Sequence, residues 1–406
     1  MGLVFSLFAG THERALHSNC SVVVNVKKWT DELGWPKTAV VRRPCACVVL
    51  RDALVGGKDT LFRDFNVPTL RRVFVELVAV SSDVVPSSSS VLGAVCAALT
   101  ESGRVVTWGG TEDGGDSSAG ELDSGVVAVV AAGSAFAAVT EAGRVVTWGD
   151  AEEGGDSSAV AGELASGVVR VVATESAFAA LKVDGRVVTW GDEDYGGNSI
   201  EVAGELASGV VMVVATWRAF AAVTGDGRVV TWGDPSCLGG GNHGEVEVVA
   251  LTCVVVVVAT AGAFAAVTEG GRVVTWGDSE YGGNSAFLNP KLDAGVAHVV
   301  ATNGAFAALT EGGRVATWGC AWEGADSDAV AGELASGVGR VVATQEAFAA
   351  LTEGGRVVTW GHADWGGDSS GVAEELASGV VEVWSTGDTT FTALKEDGQV
   401  VTWGGK

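Results

Sequence analysis

Acidic and aromatic side chains recur together in short loops, each of which follows the tripeptide Thr-Trp-Gly. Three of these loops read GDEDYGGNS from Gly191, GDSEYGGNS from Gly277 and GHADWGGDSS from Gly361. Carboxylates attract basic surfaces, and aromatic rings are common anchors at protein interfaces. The loops therefore predict a surface that binds a basic protein partner, formed by Asp192, Glu193, Asp194, Tyr195, Glu280, Tyr281, Trp322, Glu323, Asp364 and Trp365.

The same loops have a competing interpretation, because Asp, Asn and Gly form turns without any ligand and charges keep a surface soluble. Calcium is a weaker alternative. Asp192, Asp194 and Asn198 supply the oxygen atoms that calcium prefers, but they lack the EF-hand spacing with a Glu at position 12. We expect no metal and no cofactor.

Catalytic motifs are absent from the sequence. The five histidines share no repeated position, and no nucleophile elbow, phosphate-binding glycine loop or H-E-x-x-H occurs. We therefore expect a protein that is not an enzyme.

The charge of the chain is large and unevenly distributed. The 406 residues carry a formal charge of −25. Residues 1–72 hold 11 basic and 6 acidic side chains, a net charge of +5, so residues 73–406 carry −30. An acidic body repels nucleic acid and anionic membranes, which argues against both as direct partners.

A repeat of about 42 residues determines the predicted fold. Thr-Trp-Gly occurs eight times, at intervals of 40 to 44 residues, with its tryptophans at Trp108, Trp148, Trp190, Trp232, Trp276, Trp318, Trp360 and Trp403. A fixed period in this range is typical of propellers, solenoids and arrays. Each repeat holds three short runs rich in Val, Phe, Trp and Thr, which predict strands.

The strands of one repeat are predicted at Val168–Thr174, Ala177–Leu181 and Arg186–Trp190. Asp184-Gly185 predicts a tight hairpin between the last two. The apolar runs do not alternate with polar residues, as expected of sheets buried on both faces. The uncharged stretch Val248–Thr268 is interpreted in the same way, as two buried strands and not as a membrane helix.

Charged residues also recur, and their repetition predicts structural ion pairs. An arginine begins the third predicted strand in six repeats: Arg144, Arg186, Arg228, Arg272, Arg314 and Arg356. A glutamate lies in five of the connections between repeats: Glu121, Glu163, Glu205, Glu333 and Glu375.

The order of a Val-rich strand, a small-aromatic strand and D-G-R-V-V-T-W-G resembles the superfamily of the regulator of chromosome condensation and beta-lactamase inhibitor protein II. The resemblance covers residues 73–406. It implies an all-β propeller of seven short three-stranded blades, with eight as the alternative, plus a small N-terminal segment. Members of this superfamily act as exchange factors for a small GTPase, as parts of ubiquitin ligases and as protein inhibitors.

Two segments are predicted, an N-terminal segment over residues 1–72 and a repeat domain over 73–406. The first repeat is degenerate, with Cys96 where the other repeats have Phe. Met1 to Ser6 fits a myristoylation pattern at Gly2, but a single acyl chain anchors only weakly. The seven cysteines form no disulfide framework, which indicates a reducing compartment, the cytoplasm, with the nucleus as an alternative.

The function predicted from the sequence is a non-enzymatic scaffold that binds a protein through its acidic, aromatic loops. Two alternatives stay open: a guanine-nucleotide exchange factor for a small GTPase, and the substrate-recognition part of a larger ubiquitin-ligase-type protein.

Overall fold

Three antiparallel strands recur throughout the computed structural model of the chain. The structure describes residues 21–24, 39–42, 75–80, 95–100, 103–108, 122–238, 253–286, 292–385 and 389–405. These residues form two compact units, one ending at Ser176 and the other beginning at Ala177. The predictions for Gly2 and Glu121 concern residues outside the described ranges.

The strands of the first unit are β1 (Ser21–Val24), β2 (Ala39–Arg42), β3 (Val75–Val80), β4 (Val95–Thr100), β5 (Val105–Trp108), β6 (Val126–Ala131), β7 (Ala135–Thr140), β8 (Val145–Gly149) and β9 (Val168–Ala173). The strands of the second unit are β10 (Ala177–Lys182), β11 (Val187–Gly191), β12 (Val210–Ala215), β13 (Ala219–Thr224), β14 (Val229–Gly233), β15 (Val254–Ala259), β16 (Ala263–Thr268), β17 (Val273–Gly277), β18 (Val296–Ala301), β19 (Ala305–Thr310), β20 (Val315–Gly319), β21 (Val338–Ala343), β22 (Ala347–Thr352), β23 (Val357–Gly361), β24 (Val380–Ser385), β25 (Thr390–Lys395) and β26 (Val400–Gly404).

Within the described residues, helices are short and lie between the sheets. They span Ala151–Gly155, Ser158–Val160, Ala161–Leu164, Glu193–Tyr195, Ile200–Val202, Pro235–Leu238, Ala321–Glu323, Asp328–Val330, Ala363–Trp365, Ser370–Val372 and Ala373–Leu376. In the described part of the chain no helix is both long and apolar enough to cross a bilayer.

Consecutive strands pair into small meanders. In the first unit β3-β4-β5 and β6-β7-β8 each form a three-stranded sheet, and β1 pairs with β2. In the second unit β10 pairs with β11, and five three-stranded sheets follow, from β12-β13-β14 to β24-β25-β26. The hairpin between the second and third strands turns at a glycine with positive φ, such as Gly313 at +72°. This confirms the predicted role of these glycines.

The sheet β18-β19-β20 is buried on both faces, because alternate residues of its central strand pack on different neighbours. In β19, Phe306 and Ala308 lie in a core with β16 of the preceding sheet. Ala305 and Ala307 lie in a core with β21 and β22 of the following sheet. An alanine face of one sheet thus receives the Phe and Trp side chains of the next. This explains the Ala-rich second strand and gives the packing of propeller blades.

At the interfaces between neighbouring sheets, phenylalanine and tryptophan supply the large side chains that pack against the alanines. Phe348 of β22 lies directly opposite Trp360 of β23, and their rings stack with centroids 5.4 Å apart. The same stacked pair occurs in every regular repeat, at centroid distances of 5.1 to 5.4 Å. The repeated phenylalanines are fully buried. The repeated phenylalanines and tryptophans therefore form part of the core between sheets.

The indole N–H groups of four repeat tryptophans link consecutive repeats. Trp360 Nε1 donates to the Gly324 carbonyl at 3.0 Å, in the loop that follows the preceding sheet. Trp232 binds Gly196, Trp318 binds Gly282 and Trp403 binds Gly366 in the same way, each at 3.1 Å. Since a buried donor without a partner is costly, this bond favours one placement of each loop against the next sheet.

The all-β propeller class with three-stranded blades is confirmed. The degenerate first repeat packs as a blade, because Ala97, Leu99 and Val105 share a core with β6, β7 and β8; this packing supports eight repeat units. Within Val248–Thr268, β15 and β16 are the two predicted strands. The boundary between residues 72 and 73 stays a prediction.

The predicted ion pair between repeats is present at Arg356, whose Nη2 lies 3.4 Å from Glu333 Oε1. Arg228 instead pairs with Asp226 of its own hairpin at 2.8 Å, because that hairpin offers an aspartate. Both pairs are exposed, so we expect each to contribute little to stability.

Replacing Gly324 by alanine tests the junction between repeats. Gly324 has a φ of +105°, and an added Cβ would lie 2.5 Å from Cδ2 of Phe348. We expect Gly324→Ala to lower the free energy of unfolding by about 2 to 4 kcal/mol, from backbone strain and overpacking. Urea unfolding followed by tryptophan fluorescence measures this change in the free energy of unfolding.

Gly332→Ala is the matched control, because no atom lies within 4 Å of a Cβ added there. We expect it to change stability by less than about 0.5 kcal/mol. Equal effects of the two substitutions would contradict the proposed packing.

Candidate functional site

Where the loop after the third strand begins with an aspartate, that residue shapes the turn. Asp192 Oδ1 accepts from the backbone N–H of Asp194 at 2.8 Å, and Asp278 Oδ1 accepts from that of Glu280 at 2.8 Å. These aspartates therefore form Asx-type turns. Of the predicted binding residues, Asp192 has a structural role in the loop.

The fifth residue after the repeat tryptophan has a fixed backbone. Four of the predicted binding residues occupy this place, and we refer to them as the position-5 residues: Tyr195, Tyr281, Glu323 and Trp365. Hydroxyl groups of the same repeat hold three of their carbonyls: Thr260 Oγ1 donates to Tyr281 O, Thr302 Oγ1 to Glu323 O and Thr344 Oγ1 to Trp365 O, at 2.8 to 2.9 Å.

The residue after each position-5 residue is the glycine that receives the indole N–H of the next repeat. The backbone of the loop is thus held from two sides, while the side chain at position 5 varies from repeat to repeat. We call the four loops 192–199, 278–285, 320–327 and 362–369 the loop edge of the second unit.

Backbone hydrogen bonds also join the turns that precede the second strands. Trp217 N–H donates to Ala261 O at 2.9 Å, Ala261 N–H to Asn303 O at 2.7 Å, and Asn303 N–H to Gln345 O at 2.7 Å. These turns supply the threonines that hold the position-5 residues. The hydrogen-bonded row therefore sets the spacing of the loop edge.

The position-5 aromatic rings pack on neighbouring side chains and are half-buried. The Arg218 guanidinium carbon lies 4.9 Å from the centroid of the Tyr195 ring, within range of a cation–π contact. Tyr281 and Trp217 have ring centroids 6.3 Å apart. Trp365 packs against the core between the last two sheets.

Trp322 is the most exposed large hydrophobic residue of the described chain, at 80%. It lies in the single helical turn Ala321–Glu323, directly before a position-5 residue. Four predicted carboxylates of the loop edge are also exposed to solvent: Glu193, Asp194, Glu280 and Asp364. The loop edge thus combines one solvent-exposed aromatic ring with several negative charges.

Glu323 is the most perturbed acid of the edge. Burial, followed by the charge of Glu346, raises its pKa to about 7, and the nearby Gly304 N–H opposes both. Glu153 occupies the same repeat position in the first unit, and burial raises its pKa as well. Burial, followed by the charge of Glu323, raises the pKa of Tyr281.

Sequence reasoning missed the residues that surround position 5. Arg218 and Asn303 lie in the turns before the second strands, where neither residue type repeats, so no periodicity marks them. Trp217 and Trp384, which lie outside the repeated aromatic positions, are half-buried. Among the residues that the structure describes, no three His, Cys, Asp or Glu side chains are grouped to hold a metal ion.

Comparison with solved structures returns propeller proteins. Human WBSCR16 is 17% identical, with 56% of this chain and 74% of that chain covered and a TM-score of 0.38. Yeast RCC1 (Prp20), solved bound to Kap60, is 15% identical, with coverages of 58% and 70% and a TM-score of 0.36.

The ectodomain of the Physcomitrella patens receptor kinase CR4 is 13% identical to the chain, with 69% of this chain and 73% of that chain covered and a TM-score of 0.37. No protein-family model and no curated protein matches the sequence. The assignment of the fold rests on the strand pairing and sheet packing of the chain itself.

Glu323→Gln tests the electrostatics of the edge. The pKa of Glu323 is higher in the folded state than the ordinary 4.5, so the folded state binds more protons between these values. The wild type should therefore lose stability as the pH rises through 7. Glutamine resembles the protonated acid, so we expect the variant to be more stable at pH 8.5 by about 1 to 2 kcal/mol, after solvent screening, and equal near pH 4.

Urea unfolding at the two pH values measures this difference, and Glu193→Gln, at an exposed carboxylate, serves as the control. A Glu323→Gln difference that does not depend on pH would contradict the assignment of a raised pKa.

Proposed function

We propose that the chain is a non-enzymatic protein-binding module that docks a basic partner through the loop edge of its second unit. The observation that carries the proposal is Trp322, a large aromatic ring that is 80% exposed on a backbone fixed by hydrogen bonds. A rigid, exposed aromatic residue loses little conformational entropy on binding and removes much apolar surface from water.

The charge of the edge supports a basic partner. Glu193, Asp194, Glu280 and Asp364 are exposed there, and the chain as a whole carries −25. Complementary charge accelerates association and rejects acidic competitors. Affinity for such a partner should fall with ionic strength, because salt screens exposed charges over about 10 Å at 0.1 M.

A triple variant of the edge tests this proposal. Glu193→Lys, Asp194→Lys and Trp322→Ala change exposed residues only, so the fold should be retained. In affinity capture with quantitative mass spectrometry, we expect the variant to lose roughly tenfold or more of the partner bound by the wild type, consistent with the loss of a hot-spot aromatic residue and reversed charge.

The matched control combines Glu311→Lys, Glu353→Lys and Val183→Ala. It makes the same charge change and removes an exposed apolar side chain, but at the hairpin turns on the opposite end of the sheets. The control should capture the same proteins as the wild type. Equal capture by the edge variant and the wild type would refute the proposed surface.

The exchange-factor alternative predicts a different result. If the chain accelerates nucleotide release from small GTPases, the proposal of a purely binding module fails. The exchange activity of the loop-edge triple variant then shows whether the GTPase contacts the same residues.

A further inference from the structure

The connection that leads from one sheet to the next covers the outer edge of the third strand. In β20, the backbone N–H of Val315 donates to the Leu334 carbonyl at 2.9 Å, and in β11 that of Val187 donates to the Leu206 carbonyl at 2.9 Å. The Leu334 side chain is buried and shares a core with Val315. The connection therefore occupies the edge at which a fourth strand would pair.

Hydroxyl groups hold the same connection at the third residue of the strand. Thr317 Oγ1 of β20 lies 2.9 Å from Ser327 Oγ and donates to the Ala325 carbonyl at 2.8 Å. Thr359 of β23 makes the equivalent bond to Ser369 at 2.9 Å. The first and third residues of a third strand are thus the positions that bind its connection.

The last strand, β26, shares the sequence VVTWG with β23, but its outer edge is exposed. Val400 is 36% exposed, whereas Val357, at the same place in β23, is 6% exposed. Thr402 is also exposed, although its counterpart Thr359 is half-buried. Val401, between the two, is buried. The exposure is therefore confined to the residues that a connection covers in other repeats.

The backbone of this edge offers a hydrogen-bond donor. Val400 pairs opposite Leu394 as Val315 pairs opposite Leu309, so the Val400 N–H points away from β25. Among the described residues, no group accepts from the Val400 N–H on that side, and none bonds to the Thr402 hydroxyl. A strand edge with free donors pairs readily with a segment of another chain.

We propose that the outer edge of β26 binds a segment of a partner protein that has the chemistry of the chain's own connections. The repeats define that chemistry, because residues 159–167 and 329–337 both read AVAGELASG, and the leucines Leu164 and Leu334 are 1% and 2% exposed. The partner's leucine covers Val400, its carbonyl accepts from the Val400 N–H, and a preceding serine bonds to Thr402. This surface uses no loop-edge residue, so the inference does not depend on the proposed function.

A fluorescein-labelled peptide with the sequence of residues 324–337, GADSDAVAGELASG, tests the edge by fluorescence anisotropy. The wild-type chain should bind it, and the change Leu334→Ala within the peptide should weaken binding roughly tenfold or more, because a buried leucine is lost. In the chain, Val400→Glu should weaken binding at least about tenfold, and Thr402→Ala by a smaller factor.

Val381→Glu is the matched control, because it places the same charge at another exposed valine of the same sheet, in β24. The peptide is acidic, so the control also measures repulsion by the added charge. It should leave the affinity within about twofold of the wild type. Urea unfolding should show that both glutamate variants are folded.

Two results would overturn the site: equal losses in Val400→Glu and Val381→Glu, or no binding of the peptide by the wild type up to about 1 mM. Sedimentation velocity tests the competing occupant, a second copy of the chain. Self-association that is lost in Val400→Glu and kept in Val381→Glu would assign the edge to a second copy and overturn the partner segment. A monomeric wild type that binds the peptide supports the proposal.

Discussion

The rest of the structure depends on the hydrogen bond that a repeat tryptophan donates to the glycine carbonyl of the preceding loop, which is present at Trp232, Trp318, Trp360 and Trp403. It joins a buried indole in one sheet to the backbone of the loop before it, at 3.0 to 3.1 Å. The phenylalanine stacked on that tryptophan occupies the space where a Cβ of the glycine would lie. One aromatic pair therefore fills the interface between sheets and sets the course of the loop.

Different parts of the loop consequently serve the fold and the proposed binding surface. Threonine hydroxyls, indole N–H groups and glycines fix its backbone, and these residue types recur. The position-5 side chain can then change from Tyr195 to Glu323 to Trp365 without altering the path of the chain. Variation at a fixed place on a rigid frame is how repeat proteins build binding surfaces.

The sequence predicted the fold well because the fold is periodic. The stacked pair of Phe348 and Trp360, the glycine turns and the alanine faces follow from residues that recur about every 42 positions. The candidate site was predicted only in outline, because its detail depends on neighbours that occur once. No pattern marked Asn303, and composition could not show that Asp192 serves its own turn or that the ring of Trp365 packs inward while Trp322 remains exposed.

The most direct test of the account is photo-crosslinking with a benzoylphenylalanine residue placed at Trp322 or, separately, at Glu353 on the opposite end of the sheets. The account predicts that the partner captured by the wild-type chain crosslinks from position 322, through lysine-rich peptides, and does not crosslink from position 353. Crosslinking from position 353 with none from position 322 would contradict it.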